Sequence, residues 1–129
     1  MHTPAHVLLA EDEALVAALV SDLLEEQGHR VTLARNGQEA MDIDGLDPAD
    51  MLITDLRMPV LDGHTLIQLI RLNRPNLPVI VTTGYNEWIP AEEENQLVVF
   101  HKPYSYALML QAVAFLLAAR ARAAPEAGA

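Results

Sequence analysis

Residues 51–83 read MLITDLRMPVLDGHTLIQLIRLNRPNLPVIVTT, and they hold a helical pattern between two short apolar runs. Met51–Asp55 and Val79–Thr83 are apolar and contain β-branched residues, which is typical of buried strands. Between them, Leu and Ile residues recur at helical spacing, and Pro75 ends this helix near Asn73 because a proline disfavours helical geometry in the residue before it. A strand, a helix and a second strand in this order predict a crossover unit of a parallel sheet.

The same alternation of strands and helices continues on both sides of this unit. Further strands are predicted at His6–Ala10, Arg30–Ala34 and Leu97–Phe100. We therefore predict an α/β domain, a three-layer, doubly wound sheet of five parallel strands.

Helices are predicted between these strands. The first runs from about 13 to 27, with an apolar face that includes the leucine row Leu15, Leu19 and Leu23. A short second helix passes through Met41 and Ile43 and gives way to a loop over 44–48. Gly84–Gln96 is predicted to hold a short or irregular fourth helix, because Pro90 interrupts it and its acidic run offers little to bury. The last helix carries an apolar face from Leu108 to Leu117.

Length and composition indicate one folded domain, which we place at residues 1–122 with a loose tail at 123–129. The chain has 129 residues, 51% hydrophobic and 20% charged, an ordinary globular balance. We find no signal peptide or membrane-spanning run, so we expect a cytoplasmic protein without membrane insertion. The net charge of -10 disfavours binding to nucleic acid or anionic lipid. The absence of cysteine excludes disulfides and thiol nucleophiles.

Reactive side chains follow four of the predicted strands. Glu11 and Asp12 follow the first strand, Asp55 ends the third, Thr83 ends the fourth, and Lys102, the only lysine, follows the fifth. Functional groups in a parallel sheet gather at these carboxyl ends, so we expect the side chains to converge. Crowded carboxylates either have a raised pKa or bind a cation, and oxygen ligands suit magnesium. A lysine and a threonine hydroxyl beside them suit a phosphoryl group.

Four segments, in this order, resemble the receiver domains of response regulators. Val7–Glu13 resembles the opening strand and acidic pair of that family, and Asp55–Gly63 resembles its phosphoacceptor loop, with Met-Pro starting three residues after the aspartate. Pro78–Thr83 resembles the fourth strand with its threonine. Lys102–Pro103 resembles a lysine-proline pair joined by a cis peptide bond. The resemblance covers nearly the whole chain and implies the flavodoxin-like, CheY-like receiver fold.

The resemblance implies a function in two-component signalling. A sensor histidine kinase or a phosphotransfer protein would donate a phosphoryl group to Asp55, with Mg²⁺ or Mn²⁺ as cofactor. The domain would be no enzyme beyond gaining and losing this group. It would signal through phosphorylation-dependent binding of a protein target, as a monomer or a phosphorylation-dependent dimer, or serve as a phosphate sink. The implied ligands are Asp12 and Asp55 directly, Glu11 through water and the backbone carbonyl of Arg57 for the metal, and Thr83, Lys102 and the backbone amide of Gly84 for the phosphoryl group.

Two features depart from the common receiver pattern. Val99 occupies the position three before Lys102 where many receivers carry a switching Tyr or Phe, and the interval from Thr83 to Lys102 is short. Together with two short motifs, these features resemble the FATGUY subfamily of single-domain regulators. The motifs are Thr83, Gly84, Tyr85 and Lys102, Pro103, Tyr104. That resemblance makes Tyr85 the candidate switch residue in place of the missing aromatic residue.

Other interpretations of the same residues stay open at this point. An acidic cluster such as residues 11–13 is most often a solvated helix start, and an exposed Trp88 is either a docking residue or partly buried. An aspartyl-phosphate phosphatase would need a second aspartate two residues after its nucleophile, where this chain has Arg57. A receiver fold that only binds a partner, without phosphorylation, is the remaining alternative.

Overall fold

Five parallel strands form one sheet in the computed structural model, which describes residues 4–84 and 89–123. The strands are β1 (His6–Ala10), β2 (Arg30–Ala34), β3 (Met51–Asp55), β4 (Val79–Thr83) and β5 (Leu97–His101). Their order in the sheet is β2-β1-β3-β4-β5, so the chain changes direction across the sheet between β1 and β3. The sequence prediction of five parallel strands is confirmed, and β5 is one residue longer than predicted.

Helices cover both faces of this sheet, which gives the predicted three layers. Side chains alternate between the faces along each strand. Met51 and Ile53 of β3 pack in the cluster under the first and last helices, whereas Leu52 packs in the cluster under the second and third. The helices are α1 (Ala14–Glu26), α2 (Gly37–Leu46), α3 (Gly63–Asn73) and α4 (Tyr106–Ala123).

The buried face of α1 differs from the predicted one. Ala17, Val20 and Leu24 are buried, whereas Leu15 is 87% exposed and Leu19 44% exposed. At about 100° per residue, Leu15 points to the side of the helix opposite Ala17. Spacings of three and four residues keep positions 17, 20 and 24 on one face of the helix. Leucines spaced every four residues turn progressively away from that face.

The end of α2 also differs from the prediction, because the helix continues to Leu46 through part of the expected loop. Asp44 forms an ion pair with Arg74, which follows α3, and its carboxylate accepts a hydrogen bond from the backbone N–H of Ala49. These tertiary contacts extend the helix in spite of Gly45, whose helix propensity is low. In α4, Met109 takes the core position and Leu108 is 55% exposed.

The connection between β4 and β5 shows no helix in its described part, residues 89–96. Glu93 instead pairs antiparallel with Leu97 across a turn in which Asn95 has a φ of 65°. Arg71 of α3 donates to the Glu93 carboxylate at 2.6 Å and to the backbone carbonyl of Gln96. The predicted short or irregular helix therefore does not occupy residues 89–96. Residues 85–88 lie outside the described part of the chain.

The amino ends of the strands carry a group of paired charges. Asp50 accepts a hydrogen bond from the backbone N–H of buried His6 at 2.8 Å, and Arg120 of α4 donates to its backbone carbonyl at 2.7 Å. Arg30 forms an ion pair with Asp47 at 2.6 Å. None of the helices within 4–84 and 89–123 combines the length and hydropathy that a membrane span needs.

Candidate functional site

The carboxyl ends of the strands bring the predicted reactive residues to one edge of the sheet. Glu11 and Asp12 follow β1, Asp55 ends β3, Thr83 ends β4 and Lys102 follows β5. β1, β3, β4 and β5 are neighbours in a parallel sheet, so these ends lie side by side. The convergence follows from the fold, because each residue lies at or directly after its strand.

Three carboxylates form the centre of this pocket. Oxygens of Glu11, Asp12 and Asp55 lie within 4.8 Å of one another. Asp12 is exposed, whereas Glu11 and Asp55 are buried, so the cluster opens to solvent on one side. Burial, with smaller contributions from the charges of Asp55 and Asp12, raises the pKa of Glu11 to about 6. Crowded oxygen donors with a solvent-facing side fit a hard divalent cation that keeps part of its water shell.

Lys102 supplies the positive charge of the pocket. Its Nζ donates to Asp55 Oδ2 at 2.6 Å and lies 3.9 Å from a carboxylate oxygen of Glu11 and 3.8 Å from one of Glu13. Burial alone would lower the pKa of Lys102, but the hydrogen bond to Asp55 and the surrounding negative charges outweigh burial and raise the pKa. The ammonium group therefore stays charged beside the carboxylate of Asp55.

The loop after β3 fixes the position of Asp55. The backbone N–H of Arg57 donates to Asp55 Oδ1 at 3.2 Å, and that of Gly63 donates to the carbonyl of Leu56 at 2.9 Å. A Cβ atom at Gly63 would lie 2.1 Å from the backbone oxygen of Asp55, so only glycine fits there. Asp62 begins α3 by accepting a hydrogen bond from the N–H of Thr65. The loop is thus packed directly against the end of β3.

Thr83, Gly84 and Pro103 flank Lys102. Thr83 is buried, and its backbone carbonyl accepts the N–H of Lys102 at 2.7 Å. A Cβ atom at Gly84 would make only ordinary contacts with the Lys102 side chain, at 3.7 Å. The peptide bond between Lys102 and Pro103 is cis. These residues therefore border the pocket on the side of β4 and β5.

Of the two positions considered for a switch residue, the structure describes Val99 and not Tyr85. Val99 is partly buried against the core under α2 and α3, and its N–H donates to a carboxylate oxygen of Glu92 at 2.9 Å. Tyr85 lies outside the described residues, as does Trp88. The role of Tyr85 therefore stays a prediction.

The sequence analysis gave no role at the pocket to an aromatic group that lies beside it. The ring of Tyr104 lies 5.8 Å from Phe100 and 5.4 Å from Tyr106, measured between centroids. Burial is the main cause that raises the pKa of Tyr104 to about 12, with smaller contributions from the neighbouring Tyr106 hydroxyl and from the negative charges of Glu11 and Asp55. The sequence signal for this aromatic group is the position of Tyr104 and Tyr106 soon after Lys102. Residues so close to Lys102 in sequence stay near the pocket.

Comparison with known proteins identifies this arrangement. A family model described as the response regulator receiver domain matches residues 7–114. The chain belongs to this family. The receiver is therefore homologous to the response regulators of two-component systems, and its pocket is consistent with a phosphoacceptor role. The FATGUY subfamily is not established by these matches and stays a prediction.

Individual relatives agree with the family assignment. The receiver is 32% identical over 115 residues to the transcriptional regulatory protein GlrR of Escherichia coli K12, covering 87% of this chain and 26% of GlrR. It is 26% identical over 101 residues to sporulation initiation phosphotransferase F of Bacillus subtilis, covering 76% of this chain and 82% of that protein. A response regulator receiver protein from Sinorhizobium medicae superposes with a TM-score of 0.79 at 27% identity, covering 91% of this chain and 97% of that one.

These relatives differ in how much of their length the receiver spans. It covers about a quarter of GlrR, of QseF from Escherichia coli O157:H7 and of FleR from Pseudomonas aeruginosa. About three quarters of each of those proteins lies outside the region matched by the receiver. Their names therefore describe activities of longer chains.

Proposed function

We propose that Asp55 accepts a phosphoryl group from a sensor histidine kinase or a phosphotransfer protein, and that this transfer requires Mg²⁺ or Mn²⁺. One observation carries the proposal. One carboxylate oxygen of Asp55 lies within 4.8 Å of oxygens of Glu11 and Asp12, and Oδ2 of Asp55 accepts a hydrogen bond from Lys102 at 2.6 Å. The carboxylate of Asp55, which would be the nucleophile, thus lies beside both a cation-binding cluster and the positive charge of Lys102.

The divalent cation would be held by Asp12 and Asp55 directly, by Glu11 through water and by the backbone carbonyl of Arg57. When bound, it would offset the negative charge of the phosphoryl oxygens and of the carboxylates. This assignment uses oxygen donors only, in accord with the preferences of Mg²⁺ and Mn²⁺.

The residues of the receiver would perform the remaining steps. A carboxylate oxygen of Asp55 forms a bond to phosphorus while the bond from phosphorus to the imidazole nitrogen of the donor breaks, and the imidazole keeps the electron pair. Lys102 exchanges its hydrogen bond with Asp55 for one with a phosphoryl oxygen. The hydroxyl of Thr83 and the backbone amide of Gly84 donate to the other oxygens. Positioning and charge neutralisation supply most of the catalysis in such transfers. Attack of water on phosphorus later breaks the bond to the Asp55 oxygen and releases inorganic phosphate, which returns Asp55 to its free carboxylate. We propose that the protein is a phosphoacceptor and not an enzyme acting on other substrates.

Exposed apolar residues around the pocket support a protein as the donor. Leu15 at the start of α1 is 87% exposed and Val60 in the loop after β3 is 78% exposed. Pro103, next to Lys102, is exposed as well. We infer that a kinase or phosphotransfer protein that delivers its phosphohistidine to Asp55 covers these residues, and their burial would favour the complex.

Phosphorylation would act by shifting a conformational equilibrium, because the added charge interacts with Lys102 and Thr83 in one state only. We propose that this shift is read by a protein target in the cytoplasm, with no role for nucleic acid or membrane insertion, and that the receiver acts as a monomer or a phosphorylation-dependent dimer. We assign the function to residues 1–122 and none to 123–129.

Intact mass spectrometry after incubation with acetyl phosphate and Mg²⁺ tests the proposal. The expected result is a gain of one phosphoryl group that is absent from the Asp55→Asn variant and from a sample with chelator. If wild-type protein gains no phosphoryl group from acetyl phosphate or from histidine kinases, the receiver is instead a binding module that works without phosphorylation.

A further inference from the structure

Glu13 lies at the mouth of the pocket without a role in the site as described so far. It is the N-cap residue of α1, the position whose side chain commonly accepts a hydrogen bond from the first turn of a helix. Its carboxylate makes no such bond. One carboxylate oxygen lies 3.8 Å from Lys102 Nζ, and the side chain is 64% exposed. The carboxylate therefore faces Lys102 and solvent.

The backbone of Glu13 holds it in this place. Its N–H donates to a carboxylate oxygen of Glu11 at 3.1 Å, and its carbonyl accepts the N–H of Ala17 in the first turn of α1. Lys102 is thus shared by Asp55 inside the pocket and by Glu13 on the solvent side. Any donor that approaches Asp55 and Lys102 from solvent meets the negative charge of Glu13.

This charge has a different effect on different phosphoryl donors. Acetyl phosphate is a dianion at neutral pH, whereas phosphoramidate carries an ammonium group and is a monoanion overall. The repulsion from a fixed carboxylate grows in proportion to the charge of the approaching donor. A phosphohistidine resembles phosphoramidate, since both transfer phosphorus from a nitrogen that can carry positive charge.

We propose that Glu13 is a specificity-determining residue that selects against small, highly charged phosphoryl donors and so favours phosphohistidine. The inference rests on the proposed phosphoacceptor function of Asp55. In either reaction a carboxylate oxygen of Asp55 bonds to phosphorus. Acetate leaves with the electron pair of the broken P–O bond, or neutral ammonia leaves with that of the broken P–N bond.

Phosphorylation rates of Glu13→Gln with the two small donors test this selection. With Mg²⁺ and intact-mass detection, the ratio of the acetyl phosphate rate to the phosphoramidate rate should rise roughly two- to three-fold over wild type at low salt, and less at high salt. Glu26→Gln is the matched control, because it removes the same charge from an exposed residue at the other end of α1. Its ratio should equal that of wild type.

A second measurement reports the contact itself and needs neither donor nor metal. Lys102 is the only lysine, so selective lysine labelling gives one side-chain NMR signal. This signal should shift in Glu13→Gln and stay in place in Glu26→Gln. A structural role for Glu13 as a helix start would change thermal stability without changing the ratio of the two rates.

Each possible result either supports or overturns the proposed selection by Glu13. A raised ratio and a shifted lysine signal in Glu13→Gln alone support the selection. Equal ratios in the two variants, or a ratio unchanged because both rates rise together, overturn it. If wild type reacts with neither donor and with no kinase, the proposed function fails, and this inference fails with it.

Discussion

The two ends of the sheet are both rich in charged residues, but they differ in how the charges are balanced. At the amino end, two arginines, Arg30 and Arg120, face two aspartates, Asp47 and Asp50. At the carboxyl end, one lysine, Lys102, is shared by three carboxylates within 4.0 Å, with Asp12 close by as a fourth. Balanced pairs stabilise a fold, whereas uncompensated charge leaves an affinity for a ligand of opposite charge. The same strands thus have a charge-balanced amino end and a carboxyl end with an excess of carboxylates, where we propose that the phosphoryl group binds.

Replacing a positively charged side chain at each end of the sheet should give the largest difference between the two ends. Lys102→Met should slow phosphoryl uptake from acetyl phosphate about 10- to 100-fold, because a hydrogen bond to a charged group contributes about 1.5–3 kcal/mol. Arg120→Met at the amino end should leave the rate unchanged. Intact-mass time courses at fixed Mg²⁺ measure both rates, and equal slowing in the two variants would remove the distinction between the ends.

Truncating an aspartate at the amino end should affect stability and not chemistry. Asp50→Ala leaves the backbone N–H of buried His6 without its acceptor and Arg120 without its carboxylate. The expected loss is about 1–2 kcal/mol in the free energy of unfolding, measured by urea denaturation. Phosphoryl uptake of the folded variant should match wild type, and a slower uptake would show that this end influences the pocket.

Mg²⁺ should stabilise the receiver through its carboxyl end only. At a concentration well above its dissociation constant, the cation should raise the free energy of unfolding by about 1–2 kcal/mol. Asp12→Asn should abolish this gain, because the variant lacks a carboxylate of the cluster. Asp47→Asn at the amino end should keep it. A gain that persists in Asp12→Asn would place the cation elsewhere.

The pKa of Glu11 predicts the smallest effect, a dependence of stability on pH. Folding raises this pKa from 4.5 to about 6, chiefly by burial, so the folded protein binds the proton more tightly than the unfolded chain. The stabilisation is complete below pH 4.5 and is lost as pH rises through about 6. The shift alone corresponds to about 2 kcal/mol, and solvent screening at the open side of the pocket reduces the expected decrease to about 1 kcal/mol in metal-free protein. Urea denaturation at several pH values should show this decrease in wild type. In Glu11→Gln, which has no proton to lose there, the decrease should be absent.

Sequence patterns predicted the sheet well because buried parallel strands are short, apolar and separated by crossovers. The meeting of Asp55 and Lys102 followed from the same reasoning, since both positions are defined by strand ends. Which side of a helix is buried was harder to predict, as the exposed Leu15 shows. A leucine is apolar wherever it points, and its burial depends on which side of α1 meets the sheet.

Contacts between distant segments could not be predicted from local patterns. Glu13 has a sufficient local explanation as an acidic residue at a helix start, so its approach to Lys102 gave no signal. Glu92 and Glu93 belong to an acidic run whose local pattern likewise gives no signal of a distant contact. In the structure they meet the backbone of Val99 and the guanidinium of Arg71, which belong to other elements.

The turn that joins Glu93 to Leu97 also affects how molecules of this protein meet one another. β5 is an edge strand, and an open edge offers backbone groups that a strand of another molecule can pair with, which is a route to aggregation. Glu93 pairs with both backbone groups of Leu97, and the Glu92 carboxylate accepts the N–H of Val99. The first half of the edge is therefore blocked by the chain itself, and the negative charges there repel a second copy.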